Sequence, residues 1–418
     1  MKSIFDLDEF KPYANRWRGR GQELARRKGY YDGSIYQRVR DGLGWLSPRL
    51  YRGIKPLYLP LARAVDVDAG IVPGDWSWPE DAPDAWQVAR DVLFDDSNWV
   101  TRGVLYVHYG AVFGVSGLRV ADLREMGQVQ LCPVSPEFFM LVEKGQYDET
   151  PGLAFWLEHR QGAEGRVEYA EVITPESIRT FVDGEPEGID GREPEYPNEL
   201  GEVPFVEVRH VETGAALGES TYHKAIPLLD EVNEMASFVA DVIKKNADPQ
   251  WIAFGVEPSE LERGDNVWFA PHGSDIKPVV PNLDIEGVLA FLQEIRRNVE
   301  GALPELAFEE LRSKDQIATA TIELQLLELV LKIKRVRPNY DQGLIEAMRM
   351  AGRAGAGMGL GEIAALDDDA LGLDDQRPVL PVSRLDEIRA EEAELALEIQ
   401  RRLASGEGLT ATATGGAE

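Results

Sequence analysis

Residues Leu303–Arg335 read LPELAFEELRSKDQIATATIELQLLELVLKIKR, and the reading of the whole chain turns on the change of texture inside this stretch. Its second half, Ile317 to Arg337 with the two residues that follow the quotation, is apolar nearly all round between Ile322 and Ile333, so it predicts a helix buried among others. Its first half is a charged segment opened by Pro304, with Arg312 and Lys314 set among Glu309, Glu310 and Asp315.

Directly upstream, IEGVLAFLQEIRRNVEGA (285–302) places Ile285, Val288, Leu289, Leu292, Ile295 and Val299 on one helical stripe that Gly301 and Pro304 end. Further back, GESTYHKAIPLLDEVNEMASFVADVIKKNADP (218–249) carries Ile226, Leu229, Val232, Ala236, Val239, Ala240 and Ile243 at helical spacing, with Lys244 and Lys245 suited to its carboxyl end. A helix from Ser220 to Asn246 is about 40 Å long at 1.5 Å per residue. Between these two helices lie two short aromatic strands, QWIAFG and NVWFAP, flanking a Pro/Gly-containing connection. The order is helix, β tip, helix, charged segment, buried helix.

The preceding region has another character. RGVLYVHYGAVFGVS, VQLCPVSPEFFMLVE, GLAFWLEHR and RVEYAEVIT, within 86–215, are rich in Val, Tyr, Phe and Trp and read as strands. VDGEPEGIDGREPEYPNELGEVP reads as a long surface loop. At the front, RWRGRGQELARRKGYYDG predicts a short basic helix, and the prolines at 56, 60 and 73 bracket another short helix. Pro338 kinks or ends the buried helix, the alternating glycines Gly355, Gly357, Gly359 and Gly361 read as a flexible hinge, and VSRLDEIRAEEAELALEIQRRL (382–403) reads as a charged helix before a polar tail.

A net charge of −29 repels nucleic acid and anionic membranes on average, which argues against a protein that coats DNA. Residues 1–55 stand apart with 13 Lys/Arg against 6 Asp/Glu, either a solvated helical face or a contact surface for an acidic neighbour or nucleic acid. The single cysteine, Cys132, excludes an intrachain disulfide framework, and no run of about 18 apolar residues offers a membrane span. With no apolar leader-like segment at its front, the chain is expected to be soluble and not exported.

Chemistry is sparse. The five histidines, His108, His159, His210, His223 and His272, include no pair at i, i+3 or i+4, so a histidine-built metal site is not expected and each reads as an ordinary surface or core residue. No Gly-Lys dipeptide exists, which excludes a GxxxxGK[ST] phosphate loop, and no GxSxG is present. Neither a catalytic centre nor a cofactor is indicated.

Several strings resemble the portal (head-to-tail connector) proteins of tailed bacteriophages. GYYDG (29–33) is similar to the tyrosine-rich turn after the family's first helix, PVSPEFFMLV (133–142) to a strand leading into a Ser-Pro turn, and ADPQWIAFGV (247–256) to the strand that opens the family's β tip. ELGEVPFVEVRHVETGAALGESTYHKAIPLLDEVNEMAS (199–237) resembles the Gly-x-x-Pro-Phe strand and the Gly-x-Ser leading into a stem helix. The resemblance implies an α+β, predominantly helical subunit: a basic N-terminal segment and strand-rich wing at 1–217, a stem helix at 218–247, a clip at 248–284, a returning stem helix at 285–302, a tunnel loop at 303–316, tunnel-lining and wing helices at 317–360, and a short crown-like region with a disordered tail at 361–418.

It further implies a homo-oligomeric ring of twelve subunits at one capsid vertex, assembled in the host cytoplasm, through which double-stranded DNA passes during packaging and ejection. The implied partners are the terminase large subunit, a head-tail adaptor, and the major capsid and scaffold proteins, with no membrane, no cofactor and no metal. Arg312, Ser313 and Lys314 would face the DNA, unless the two cations are only solvated loop charges. Trp251, Phe254, Glu260, Arg263 and Trp268 would contact terminase or adaptor. Two other readings stay open: an oligomeric virion or scaffold protein without a channel, and an acidic intracellular hydrolase using carboxylates.

Overall fold

The computed structural model describes residues 2–36, 58–74, 76–145, 148–162, 165–189, 191–247, 251–254, 267–270, 285–306, 326–374 and 377–379. The chain divides into two compact units, 1–375 and 376–418, and of the second only residues 377–379 are among those described. The described elements mix helix and sheet. In chain order they are α1 (Ala14–Tyr31), α2 (Leu61–Ile71), α3 (Asp84–Ser97), α4 (Trp99–Phe113), β1 (Val115–Leu123), β2 (Gln128–Val134), β3 (Phe139–Gly145), β4 (Asp148–Gly162), β5 (Gly165–Ile173), β6 (Ser177–Val182), β7 (Glu185–Pro186), β8 (Glu195–Pro197), β9 (Phe205–Arg209), α5 (Ile226–Ala247), β10 (Trp251–Phe254), β11 (Val267–Ala270), α6 (Ile285–Gly301), α7 (Leu327–Met358) and α8 (Gly361–Ala364).

The strands form an antiparallel sheet in the order β2-β1-β9 and a larger sheet in the order β3-β4-β5-β6-β7, with β8 also pairing with β6. Alternation along β3, β4 and β5 sends side chains to opposite faces. One face buries Met140, Phe155, Ala170 and Val172 under Ile4, Phe5 and Phe10 of the N-terminal segment. The other buries Phe139, Ala154 and Ile173 against Phe205 and Val134 of the smaller sheet, where the Phe139 and Phe205 rings stack at 5.7 Å. A third core joins α1, α2 and the end of α4 to the α5/α6 pair through Leu24, Leu61, Val112, Tyr222, Leu229 and Val299. β10 and β11 pair in parallel between α5 and α6 in the chain, as the two expected tip strands do. No described helix is long and apolar enough to cross a membrane.

Five sequence expectations need correction. RGVLYVHYGAVFGVS is not a strand: residues through Phe113 belong to α4, because Gly103, Tyr106, Val107 and Gly110 are the buried positions and repeat at helical spacing, and the strand begins at Val115. Aromatic content masked that period. The long helix begins at Ile226 rather than Ser220, since His223–Ala225 form a 3-10 turn that brings Tyr222 and Ala225 into the core. VDGEPEGIDGREPEYPNELGEVP is not wholly loop, because β7 and β8 are recruited as short strands onto β6.

Pro338 does not end its helix. α7 runs through it from Leu327 to Met358, with Pro338 on the exposed side and Val336, Arg337 and Tyr340 buried around it. Solvent can hydrate the carbonyl that proline leaves unbonded, and packing on the other side holds the axis. The glycine run is likewise no hinge within this unit. Gly355 lies inside α7 against Ile363, and the chain turns at Gly359 into α8, so these glycines allow a close helix–helix turn.

Where α4 crosses α7, Gly110 faces the Tyr340 hydroxyl and Gly343 faces Val208 and the Tyr106 hydroxyl, and an added Cβ at either glycine would overlap those atoms. Gly110→Ala and Gly343→Ala should therefore each lower stability by about 1–3 kcal/mol in chemical denaturation through overpacking. Gly21→Ala on α1, where an added methyl meets nothing, should instead raise it by up to about 1 kcal/mol.

Candidate functional site

The turn after α6, the start of α7 and the end of α2 meet at one buried junction, and that junction is held by charge. Asp68 comes from α2, whose sequence LARAVDVDAGI is otherwise apolar on its inner side, and the carboxylate is fully buried. Lys332 reaches it from α7, with Nζ 3.3 Å from Oδ2. The same ammonium pairs with Glu305, which lies on the 3-10 turn Pro304–Leu306 and is also fully buried, and it donates to the Thr221 carbonyl at 3.3 Å. One cation thus serves two interior carboxylates.

A hydrogen-bonded chain extends from Asp68. Thr221 Oγ1 donates to Asp68 and lies 2.9 Å from His210 Nε2, while His210 Nδ1 lies 2.9 Å from the Tyr340 hydroxyl. A neutral imidazole protonated on Nε2 satisfies this chain: Tyr340 donates to Nδ1, His210 donates to Thr221, and Thr221 donates to Asp68. Tyr106 packs edge-on against Tyr340 at 5.0 Å. The backbone is tied in at the same place, since Thr221 N–H bonds the Ala111 carbonyl and Arg337 bonds the Ile71 and Val72 carbonyls that end α2. On the far side of the junction Arg27 donates to the Phe113 and Gly218 carbonyls, both at 2.6 Å.

The electrostatics follow from burial and from the sharing of Lys332. Burial pushes the Asp68 carboxyl up, but the Lys332 ammonium and the His210 and Thr221 hydrogen bonds outweigh it and hold the group down to about 2. Burial and the neighbouring Asp68 carboxylate push Glu305 up to about 7 against the pull of Lys332. Burial lowers His210 and keeps it neutral, whereas for Lys332 the two carboxylates overcome the desolvation that would lower it. Asp68⁻ and Lys332⁺ balance each other, and Glu305 keeps its proton until near neutrality. Asp68 Oδ1 and Glu305 Oε2 are buried without a hydrogen-bond partner among the described residues. No group of three or more possible metal ligands occurs among them either.

Arg312, Ser313 and Lys314, and likewise Glu260 and Arg263, lie outside the described residues. Trp251 and Phe254 fall on β10 and Trp268 on β11, so the β10–β11 pairing brings these three positions onto one two-stranded ribbon with Ile252 opposite Trp268. Sequence reasoning overlooked the junction. Its traces were present as isolated charges in apolar settings: Asp68 in α2, Glu305 inside LPEL, and Lys332 inside LELVLKIKR. Nothing in those strings says that the three meet, because they come from segments far apart in the chain. His210 proves to be a core histidine.

Removing Lys332 strands a buried carboxylate, so Lys332→Met should destabilise by about 3–5 kcal/mol, and adding Asp68→Asn should recover part of that loss in a double-mutant cycle. The pH dependence has a definite sign. Glu305, raised from 4.5, contributes stability that is complete below that value and is lost as pH rises through about 7. His210, lowered from 6.5, acts oppositely below 6.5, and Asp68, lowered from 3.8, acts only between about 3.8 and 2. Between pH 6.5 and 8 the loss at Glu305 outweighs what remains of the opposing His210 titration, so stability should fall by about 0.4 kcal/mol over that range, and Glu305→Gln should abolish the fall in urea titrations.

Three solved structures are similar to this chain. One described as the virion of a native gene transfer agent particle has 12% identity and a TM-score of 0.39, over 83% of this chain and 89% of that one. The neck of the native particle, computed with C12 symmetry, has 14% identity and 0.39, over 79% and 85%. The neck of the empty particle, computed with C6 symmetry, has 13% identity and 0.39, over 84% and 87%. No curated protein matches the chain. The family described as "Phage portal protein, SPP1 Gp6-like" matches residues 119–349, from β1 through α5, the tip strands and α6 into α7. That family is a structural, non-enzymatic one, and its match takes in His210, Thr221, Glu305 and Lys332 of the junction. Spanning more than half of the sequence, the match places the chain in the phage portal protein family, with a portal-type role in the virion.

Proposed function

We propose that this chain assembles into a ring of twelve copies that forms the conduit for double-stranded DNA at one capsid vertex and the platform on which terminase and a head-tail adaptor dock. The observation that carries this reading is the family match over 119–349, whose order is body, helix, β pair, helix, junction, long helix. In it 218–247 and 285–302 are the stem, 248–284 the clip, 303–316 the tunnel loop and 317–360 the helices behind that loop. The body, 1–217, is the wing and 361–418 a short crown-like region. Capsid and scaffold proteins surround the ring.

The physical demands of a conduit favour the assignment. A tunnel that moves DNA must not grip it, and each added Lys or Arg strengthens binding to phosphate. A net charge of −29 keeps average attraction low, and Arg312 and Lys314 supply local positive charge in the segment assigned to the constriction. The buried junction gives that segment a firm base. Glu305 lies at its start and Lys332 on the helix that follows it, and the two are tied to each other and through Lys332 to α2, so load on the loop passes into the body and not into the loop alone.

Negative-stain microscopy and native mass spectrometry of the purified protein should show a ring with an axial hole. A stable monomer under every assembly condition would count against the reading, and a closed oligomer with no hole would favour a virion or scaffold protein without a channel. Arg312→Ala, Lys314→Ala and the pair should leave ring formation intact while altering DNA packaging or retention, measured as protected DNA per particle. Unchanged packaging in all three would remove the DNA-contact role. Shortening GVEPSELERGDNVWF (255–269) should impair binding of terminase or adaptor in pull-down, and normal binding would contradict the clip assignment.

A further inference from the structure

Two helices of this chain carry opposite charge on their outward faces. α1 holds six Arg/Lys and one Glu, whereas residues 80–97, which lead into and form α3, hold six Asp/Glu and one Arg. On α3 the positions Asp84, Val88, Asp91 and Asp95 follow one another at helical spacing and are all exposed, opposite the buried Trp86, Ala89 and Leu93. Arg90 pairs with Asp91, while Asp84 and Asp95 have no cation partner among the described residues. Glu80 and Asp81 extend the exposed acidic surface ahead of the helix.

On α1 the outward positions are Arg18, Gly21, Gln22 and Arg26, opposite the buried Leu24 and Arg27. Arg18 has no side-chain partner among the described residues, and Glu23 serves both Arg26 and Arg27, so one carboxylate answers two guanidinium groups. Arg20 and Lys28 are engaged with Glu207 and Glu137, and Arg16 turns to the other side, into a cleft along β9 that Glu143, Glu207, Glu212 and Glu346 also line. The outward face is left positive. Gly21 is a second, independent sign of contact there. Glycine weakens an exposed helix relative to alanine, and a Cβ at Gly21 would meet nothing, so no packing inside the subunit calls for it. Close approach of another helix does. Val88, at the centre of the acidic stripe, is an apolar side chain left 50% exposed.

The two faces lie at opposite ends of α4. α1 is held to its C-terminal end, where Arg27 bonds the Phe113 carbonyl and the Tyr31 ring meets His108, and α3 to its N-terminal end, where the Phe94 ring meets Trp99. The length of α4, Trp99–Phe113, keeps them about 20 Å apart. One copy therefore cannot bring its own α1 face onto its own α3 stripe. We infer that the outward face of α1 docks on the acidic stripe of α3 in a second copy of this chain, with Val88 seated over Gly21. Like charges repel when α1 meets α1 or α3 meets α3, so a two-fold pairing through either face is disfavoured. The contact selected is head-to-tail, the kind that closes rings. The inference rests on the ring proposed above and names one interface within it.

Charge reversal tests it without touching an internal ion pair. Arg18→Glu with Gln22→Glu reverses the α1 face, and Asp84→Lys with Asp95→Lys reverses the α3 face, all four being exposed positions. Each double variant should keep a native circular dichroism spectrum and need at least tenfold more protein than wild type to form rings. Mixed in equal amounts, the two should form rings at the wild-type concentration, because copies that alternate around an even-numbered ring present only opposite charges to one another. Gly21→Leu should fold at least as stably as wild type and still need tenfold more protein to assemble. Rings formed as readily as by wild type in either double variant or in Gly21→Leu, or no recovery in the mixture, would overturn the inference. If a double variant does not fold, Arg18→Glu and Asp95→Lys alone are mixed and read in the same way. A wild type that forms no ring overturns the portal reading as well, whereas wild-type rings beside unaffected charge variants overturn this interface alone.

Discussion

Two buried carboxylates share one ammonium at the point where the body, the helical pair and the long helix of this protein meet. Asp68, Glu305 and Lys332 come from α2, the turn after α6, and α7, and each would be strongly disfavoured in the interior without the others. Charge buried in this way adds little net stability against an apolar alternative, yet it penalises every arrangement that separates the partners. Its effect is therefore on geometry. The turn after α6 and the start of α7 are set relative to α2, and the Thr221–His210–Tyr340 chain extends that constraint to the end of β9 and, through Tyr106, to α4.

For a member of the portal family such a junction has mechanical sense. Apolar contacts between long helices slide more readily than a buried ion pair with fixed partners. The surrounding core, from Leu24 through Tyr222 to Leu303, supplies the bulk of the burial, and the charged cluster supplies its registry. Backbone capping by Arg27 and Arg337 works in the same direction, because each guanidinium bonds carbonyls that the ends of α4 and α2 leave without partners.

Much of the architecture was legible in the chain. The stripe Ile295, Val299 on α6 and the pattern Ile226, Leu229, Val232 on α5 have the helical period and are buried together, and the two short aromatic strands between them form and pair. Misreadings came where two signals conflict. In α4 the residues favour strands while their buried positions repeat as a helix, and in α7 a proline that stops isolated helices is outweighed by packing on the face opposite Pro338. Local propensity lost to tertiary burial in each case.

The sequence by itself determined the order of helix, strand pair, helix and long helix from Ile226 onward, the excess of negative charge, the absence of familiar catalytic motifs and the resemblance to portal proteins, since these depend on spacing and composition along one line of residues. Only the tertiary structure decided that Asp68, His210, Thr221, Glu305 and Lys332 form one cluster. The reason is physical: a lone charge in an apolar helix carries no mark of its partner, and partners more than a hundred residues away are chosen by how whole elements pack.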